Sequence, residues 1–305
     1  LNINEHKISI CIASYGDDIG PLLLELRHCV NFGLPALWST EVLISDQFYK
    51  RHKNADSWEQ TFNCRYIHSP KTKGRSVNRN GLAALADGDF LLFLDADALP
   101  KTSGFLNRYC NYALQSPVIV GGTAYRPGYK SDELRVKVGK IKEEIIPQVR
   151  DKNPYGSFSA FNFLIRRDVF CEIYFSEKML EYGHEDTLFG LELKYRNIDI
   201  MHIDNPAYHM GIDSGEEFME KTAVAVDSLA KLIQAGKIDE DIKLFQVYRI
   251  LQKSGFHLFL RLLHAVIGNG IKKGLASGYL PLFFFDLYKL LRLSSHSIKI
   301  GRRMP

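Results

Sequence analysis

A chain of 305 residues is long enough for one large domain with an appendage or for two domains, and 46% hydrophobic with 24% charged residues is the make-up of an ordinary globular protein. The five scattered cysteines (Cys11, Cys29, Cys64, Cys110 and Cys171) include no C-x-x-C pair, which argues against a disulfide framework and a zinc site and fits a reducing compartment. The net charge of +4 hides an asymmetry: 11 of the 39 Lys and Arg but only one of the 35 acids fall in residues 243–305, so that segment carries +10 and the rest −6.

In chain order, residues 1–7 are polar, and the apolar run 8–13 is too short for a secretory leader. That run reads as a first strand, with Tyr15-Gly16-Asp17-Asp18 as the turn beyond it. Pro21 suits the first turn of a helix carried by Leu22, Leu23, Leu26 and Val30. Residues 41–45 form a second strand ending at Asp46, and 64–68 a third. An Ala- and Leu-rich helix over 74–88 then feeds the most informative stretch, Phe90-Leu91-Leu92-Phe93-Leu94-Asp95-Ala96-Asp97. Bounded by Asp87-Gly88 and Pro100, this apolar run reads as a strand buried on both faces. Ligands bind where such strands end, and two acids there suit a hard divalent cation. The plainer alternative is a strand-end turn whose acids cap the next helix.

Further on, 118–123 and 161–165 read as strands, and 134–149 as a charged amphipathic segment, either a helix over the sheet or a flap. Residues 186–196 form a helix, 198–203 a final strand and 216–235 another helix. Strand and helix alternating at this spacing predict βαβ units and a mostly parallel sheet. Residues 242–267 and 280–293 are helical, apolar and basic, but the longest unbroken apolar run there, 279–285, falls far short of the ~20 residues that span a bilayer. Such helices either lie on anionic membranes or pack as a hairpin on the main domain with a solvated basic face. The expected division is a catalytic domain over 1–240 and a helical extension over 241–305.

Two more groups carry chemistry. In Tyr182-Gly183-His184-Glu185-Asp186-Thr187-Leu188 two acids open a helix, which is either a good N-terminus or a general base beside a substrate-holding acid. Leu188 excludes a zincin reading. Asn205-Pro206-Ala207-Tyr208-His209-Met210-Gly211 reads as a turn presenting one histidine, a structural residue or a metal ligand that would favour Mn²⁺ over Mg²⁺. Lys73-Gly74-Arg75-Ser76-Val77-Asn78-Arg79-Asn80 offers cations to a diphosphate. P-loop, dinucleotide and nucleophile-elbow motifs are missing, and a nucleic-acid partner is not expected, since only the basic tail favours one.

Taken in this order, the motifs resemble the family 2 glycosyltransferases with the GT-A nucleotide-sugar fold, over residues 8–235. The implied fold class is α/β, a mostly parallel mixed sheet flanked by helices, with a C-terminal helical extension. The resemblance implies that Ala13, Tyr15, Asp46, Arg75, Arg79, Asp95, Ala96 and Asp97 contact the donor, Asp46 reading the uracil. Gln47-Phe48 stand where the family often carries a second acid and a glycine. Glu185-Asp186 and His209 narrow the likeness to galactosyltransferase- and chondroitin-polymerase-type enzymes. That subset implies Asp186 as base, Glu185 as holder of the acceptor sugar, and Asp95, Asp97 and His209 around Mn²⁺ or Mg²⁺. The implied activity is metal-dependent, inverting transfer from a UDP-sugar to a hydroxyl of a glycan or lipid-linked saccharide in surface polysaccharide synthesis. The expected location is cytoplasmic, peripheral on the inner face of the cell membrane through residues 243–305. One rival, a sugar-1-phosphate nucleotidyltransferase, would want a Gly-rich cationic loop where this chain has Ser14-Tyr15-Gly16-Asp17-Asp18. The other is a catalytically inactive glycan-binding or scaffold domain.

Overall fold

Ile8, Ile10 and Ile12 point to one covered face and Cys11 to the other, all fully buried, so the first strand, β1 (His6–Ser14), forms in the middle of a sheet. In the computed structural model, which describes residues 5–71, 74–129, 133–177, 183–238 and 242–298, β1 leads into α1 (Gly20–Phe32), β2 (Trp38–Asp46), α2 (Ala55–Phe62) and β3 (Arg65–His68). Then come α3 (Arg75–Leu85), β4 (Phe90–Asp95), β5 (Ala98–Pro100), α4 (Phe105–Tyr112), β6 (Val118–Val120) and β7 (Thr123–Ala124). The middle of the chain adds α5 (Leu134–Lys142), α6 (Pro147–Arg150), β8 (Asn162–Arg166), α7 (Arg167–Ile173), α8 (Glu185–Tyr195), β9 (Ile200–His202) and β10 (Ala207–His209). Four helices close it: α9 (Gly215–Gln234), α10 (Lys243–Lys253), α11 (Phe256–Ala276) and α12 (Phe283–Ser295).

Seven strands form one sheet in the order β3-β2-β1-β4-β8-β6-β9, parallel except for β8, which runs antiparallel to both its neighbours. The register sets Ala13 opposite both Ser45 and Asp95, and Ser14 opposite Asp46, so the carboxyl ends of β1, β2 and β4 share one edge. A second sheet, β5-β10-β7, pairs His209 with Ala98 and so brings His209 next to Asp97 in space. β4 is buried on both faces as expected: Phe90, Leu92 and Leu94 join one core and Leu91 and Phe93 the other.

By contacts the chain forms two compact units: Leu1–Pro127 with Lys142–Leu180 and Glu185–Gly211, and Gly128–Ile141 with Glu181–His184 and Ile212–Pro305. The expected boundary at 240 differs from this division because α9 shares its core with the last helices: Met219 packs in one cluster with Leu260, Ile271, Leu275, Phe285, Tyr288 and Leu291. Leu134 and Val138 of α5 belong to the same cluster. Ser214 and Glu217 start α9 with a reciprocal capping box.

Four sequence expectations are corrected. The 118–123 strand is two, with Asn162 pinning the bend between them: its Nδ2 donates to the Gly122 carbonyl, and its own carbonyl accepts from Gly121 N–H. The 134–149 segment is two helices, since Pro147 can open a helix but not continue one. The 242–267 helix breaks at Gly255, whose φ of 75° lies in the left-handed region. The 205–211 turn contains a strand, β10, which carries His209. Lys73, Tyr182 and residues 299–305 lie outside the described residues.

Candidate active site

The acids predicted from sequence gather at the carboxyl edge of the parallel strands, and a buried arginine organises them. Arg79, on the first turns of α3, is 3% exposed, and its Nη2 lies 2.6 Å from Asp95 Oδ1 at the end of β4. Its guanidinium packs 5.3 Å from the centre of the Phe175 ring. Burial alone would lower its pKa; the charges of Asp95, Asp186 and Glu185 more than offset this and hold it above its usual range. Arg79 thus couples the strand-end acids to the acids of α8. Its Nη1 is buried and makes no hydrogen bond within the described residues.

Glu185 and Asp186 occupy the first turn of α8, where the helix dipole favours carboxylates. Glu185 Oε1 lies 3.6 Å from Nη1 of the half-exposed Arg75. Asp186 Oδ2 accepts a hydrogen bond from Ala160 N–H at 2.9 Å, which aims the carboxyl. Burial, then the neighbouring Glu185, push Asp186 up to about 6, against the opposing pull of Arg79. A carboxyl at that value is mostly ionised at neutral pH yet still has real proton affinity, the combination that a general base needs.

Asp97 and His209 make the second focus. His209 Nε2 lies 3.7 Å from Asp97 Oδ2, and Met210 N–H donates to the Asp97 carbonyl at 2.8 Å. The imidazole is held between the rings of Phe161 and Tyr125, with centroids at 5.2 and 5.9 Å. Burial raises the Asp97 pKa, His209 opposes that, and Asp95 and Asp17 add to it. Gly211 is required here: a Cβ would stand 2.2 Å from Asp97 Oδ2. Among the described residues no three His, Cys, Asp or Glu side chains gather as a metal site. Asp95, expected as a third ligand, has its Oδ1 on Arg79. The donors that remain, one carboxylate and one imidazole, fit a Mn²⁺ or Mg²⁺ ion that fills its other positions with water and phosphate oxygens.

Asp46, expected to read the base, is held by groups of its own fold. It is 1% exposed, and its Oδ1 accepts from Gly16 N–H at 2.8 Å and Phe48 N–H at 2.9 Å, while Oδ2 accepts from the Tyr66 hydroxyl. The carboxylate therefore ties the loop after β1 to the loop after β2. The exposed face of that edge belongs to Tyr15, which meets Phe48 edge-on at 5.4 Å. Tyr66→Phe, by leaving Oδ2 buried without a donor, is expected to lower unfolding stability by about 1–3 kcal/mol, measurable by denaturant titration. Ala13 and Ala96 sit half-buried at the ends of β1 and β4, as placed from sequence. Phe161, Tyr125 and Ala160 were not foreseen; they act through ring packing and one N–H, for which no side-chain motif exists.

A mostly parallel sheet with one antiparallel strand, acids at its carboxyl edge and a small second sheet beside it is the GT-A fold of nucleotide-sugar glycosyltransferases. Residues 40–174 match the family described as Glycosyl transferase family 2. Among solved structures it is similar to TarS from S. aureus (20% identity, TM-score 0.52), with 95% of this chain and 52% of that one covered, so the chain spans about half the length of that protein. It is also similar to S. aureus TarS 1-349 in complex with UDP-GlcNAc (18% identity, TM-score 0.51, covering 95% and 90%). A third is the mannosyltransferase PcManGT from Pyrobaculum calidifontis in complex with GDP-Man and Mn²⁺ (13% identity, TM-score 0.57, covering 96% and 87%). At these identities the likeness speaks to the fold. No curated protein matches the chain by sequence.

Proposed function

We propose that the chain is an inverting glycosyltransferase that moves a sugar from a UDP-sugar to a hydroxyl of a glycan or lipid-linked saccharide. The observation that carries this reading is the meeting, through Arg79, of an acid of raised proton affinity with the strand-end acids: Asp186 and Asp95 act on the same guanidinium. Asp186 takes the proton of the acceptor hydroxyl as that oxygen attacks the anomeric carbon from the face opposite the leaving diphosphate. Glu185, beside Arg75, holds the acceptor sugar. Arg75 and Arg79, at the start of α3, face the anionic donor, and Tyr15 gives the base an aromatic surface. Asp97 and His209 would hold Mn²⁺ or Mg²⁺, which when bound neutralises charge growing on the leaving diphosphate. Asp46 keeps the base-side loops in place. The GDP-Man and UDP-GlcNAc complexes of the similar structures are in keeping with a nucleotide-sugar donor for this chain as well.

Calorimetric titration of UDP, with GDP as control and with or without Mn²⁺, tests this on wild type and Asp97→Ala. Metal-dependent UDP binding is expected, weakened by more than about 100-fold in the variant. Wild type that binds neither nucleotide under any condition would sink the proposal.

A further inference from the structure

The second unit collects most of its exposed apolar side chains in one stretch. Of the 24 large hydrophobic side chains exposed among the described residues, 10 lie between 247 and 283, a grouping that isolated surface residues do not show. On α11, Leu258, Leu262 and Val266 recur every four residues with Phe259 beside them, so they share one face; Leu262 is 68% and Val266 81% exposed. The opposite face of the same helix, with Leu260, Ile271 and Leu275, is buried in the helical core. α11 is therefore apolar on both sides, and among the described residues only one side is buried. On α10, Val247 and Ile250 are exposed between Lys243 and Lys253, and Lys273 closes the α11 stripe at its far end.

The charge decides what covers this face. Residues 243–305 carry +10, so a second copy of the chain would bring like charge against like. A partner with an apolar interior under an anionic skin matches both features at once. No described helix is long and apolar enough to cross a membrane, so contact has to be made along the surface. We propose that the exposed face of α10 and α11 docks on an anionic lipid bilayer, with both helices lying in the boundary between headgroups and acyl chains. This is independent of the transferase reading.

Cosedimentation of the full chain with vesicles of phosphatidylglycerol and phosphatidylcholine tests it. Wild type should sediment with them, less so as salt rises, and should stay in solution with pure phosphatidylcholine. Leu262→Glu with Val266→Glu should lower the vesicle partition by at least about 100-fold, since two apolar anchors are lost and two like charges meet the surface. Both positions are exposed, so thermal unfolding should match wild type. Leu114→Glu, an equally exposed site on the α/β unit, should change binding by no more than about twofold. Wild type that ignores anionic vesicles overturns the proposal, as does a double variant that binds like wild type. A wild-type dimer that the double change converts to monomer, without vesicle binding, would assign the face to a second copy instead.

Discussion

Asp186→Asn will slow sugar transfer by roughly 10²–10⁴-fold while leaving UDP affinity within about twofold. The amide is isosteric, and its oxygen still accepts the Ala160 N–H, so the first turn of α8 stays as it is. What disappears is the proton affinity of the proposed base. Transfer measured in single turnovers separates this from product release, and calorimetry of UDP reports donor binding. If UDP affinity fell in step with the rate, Asp186 would belong to the donor site and the base would have to be sought elsewhere.

The same carboxyl sets two pH dependences. With Asp186 as the proposed base, transfer needs it ionised, so the wild-type rate should fall tenfold per unit as pH drops below about 6. Stability runs the other way. The native pKa is raised from 3.8 to about 6, so the unfolded chain gives up this proton more readily than the native one. The native state then bears a buried charge whose cost is absent below about 4, grows between 4 and 6, and is full above 6. Asp186→Asn removes that cost and should raise the unfolding stability at pH 8, by no more than about 3 kcal/mol. A slower and more stable variant marks an acid kept for chemistry rather than for the fold.

How much of this was legible in the sequence depended on distance along the chain. The strand 90–95 was readable because an apolar run of that length between turn signals has few other uses. Asp95, Asp97 and Asp186 stood out because each ends or opens such an element, and His209 because a turn presents it. The helices α2, α4 and α7 passed unseen: each has eight residues or fewer, too short for a 3.6-residue period to stand out, and their anchors, such as Trp58 and Tyr109, show only against the sheet. The breaks at Pro147 and Gly255 were local signals and could have been used. The direction a side chain takes could not be read locally. Asp46 turns inward because Tyr66 and Gly16 meet it there, and Asp95 turns to Arg79, 16 residues before it in the chain. The motif supplies the carboxylate; a neighbour from another element decides whether a ligand can reach it.

Arg79→Met tests that last point directly, and its expected cost is about 3–5 kcal/mol of unfolding stability. Methionine keeps most of the stem that packs on Phe175 but removes the one cation buried among Asp95, Asp186 and Glu185. Asp95 is then left beside two other acids without a counter-charge, the situation in which breaking a buried pair is costly. Adding Asp95→Asn should restore a large part of the loss, because the uncompensated charge goes with it. Single and double variants of equal instability would mean that Arg79 matters through packing alone. Activity supplies the independent reading. Arg79 pulls the Asp186 pKa down, so its removal should move the acid limb of the transfer rate from about 6 toward neutral pH. A merely structural arginine would lower the amount of folded enzyme and leave that limb where it was.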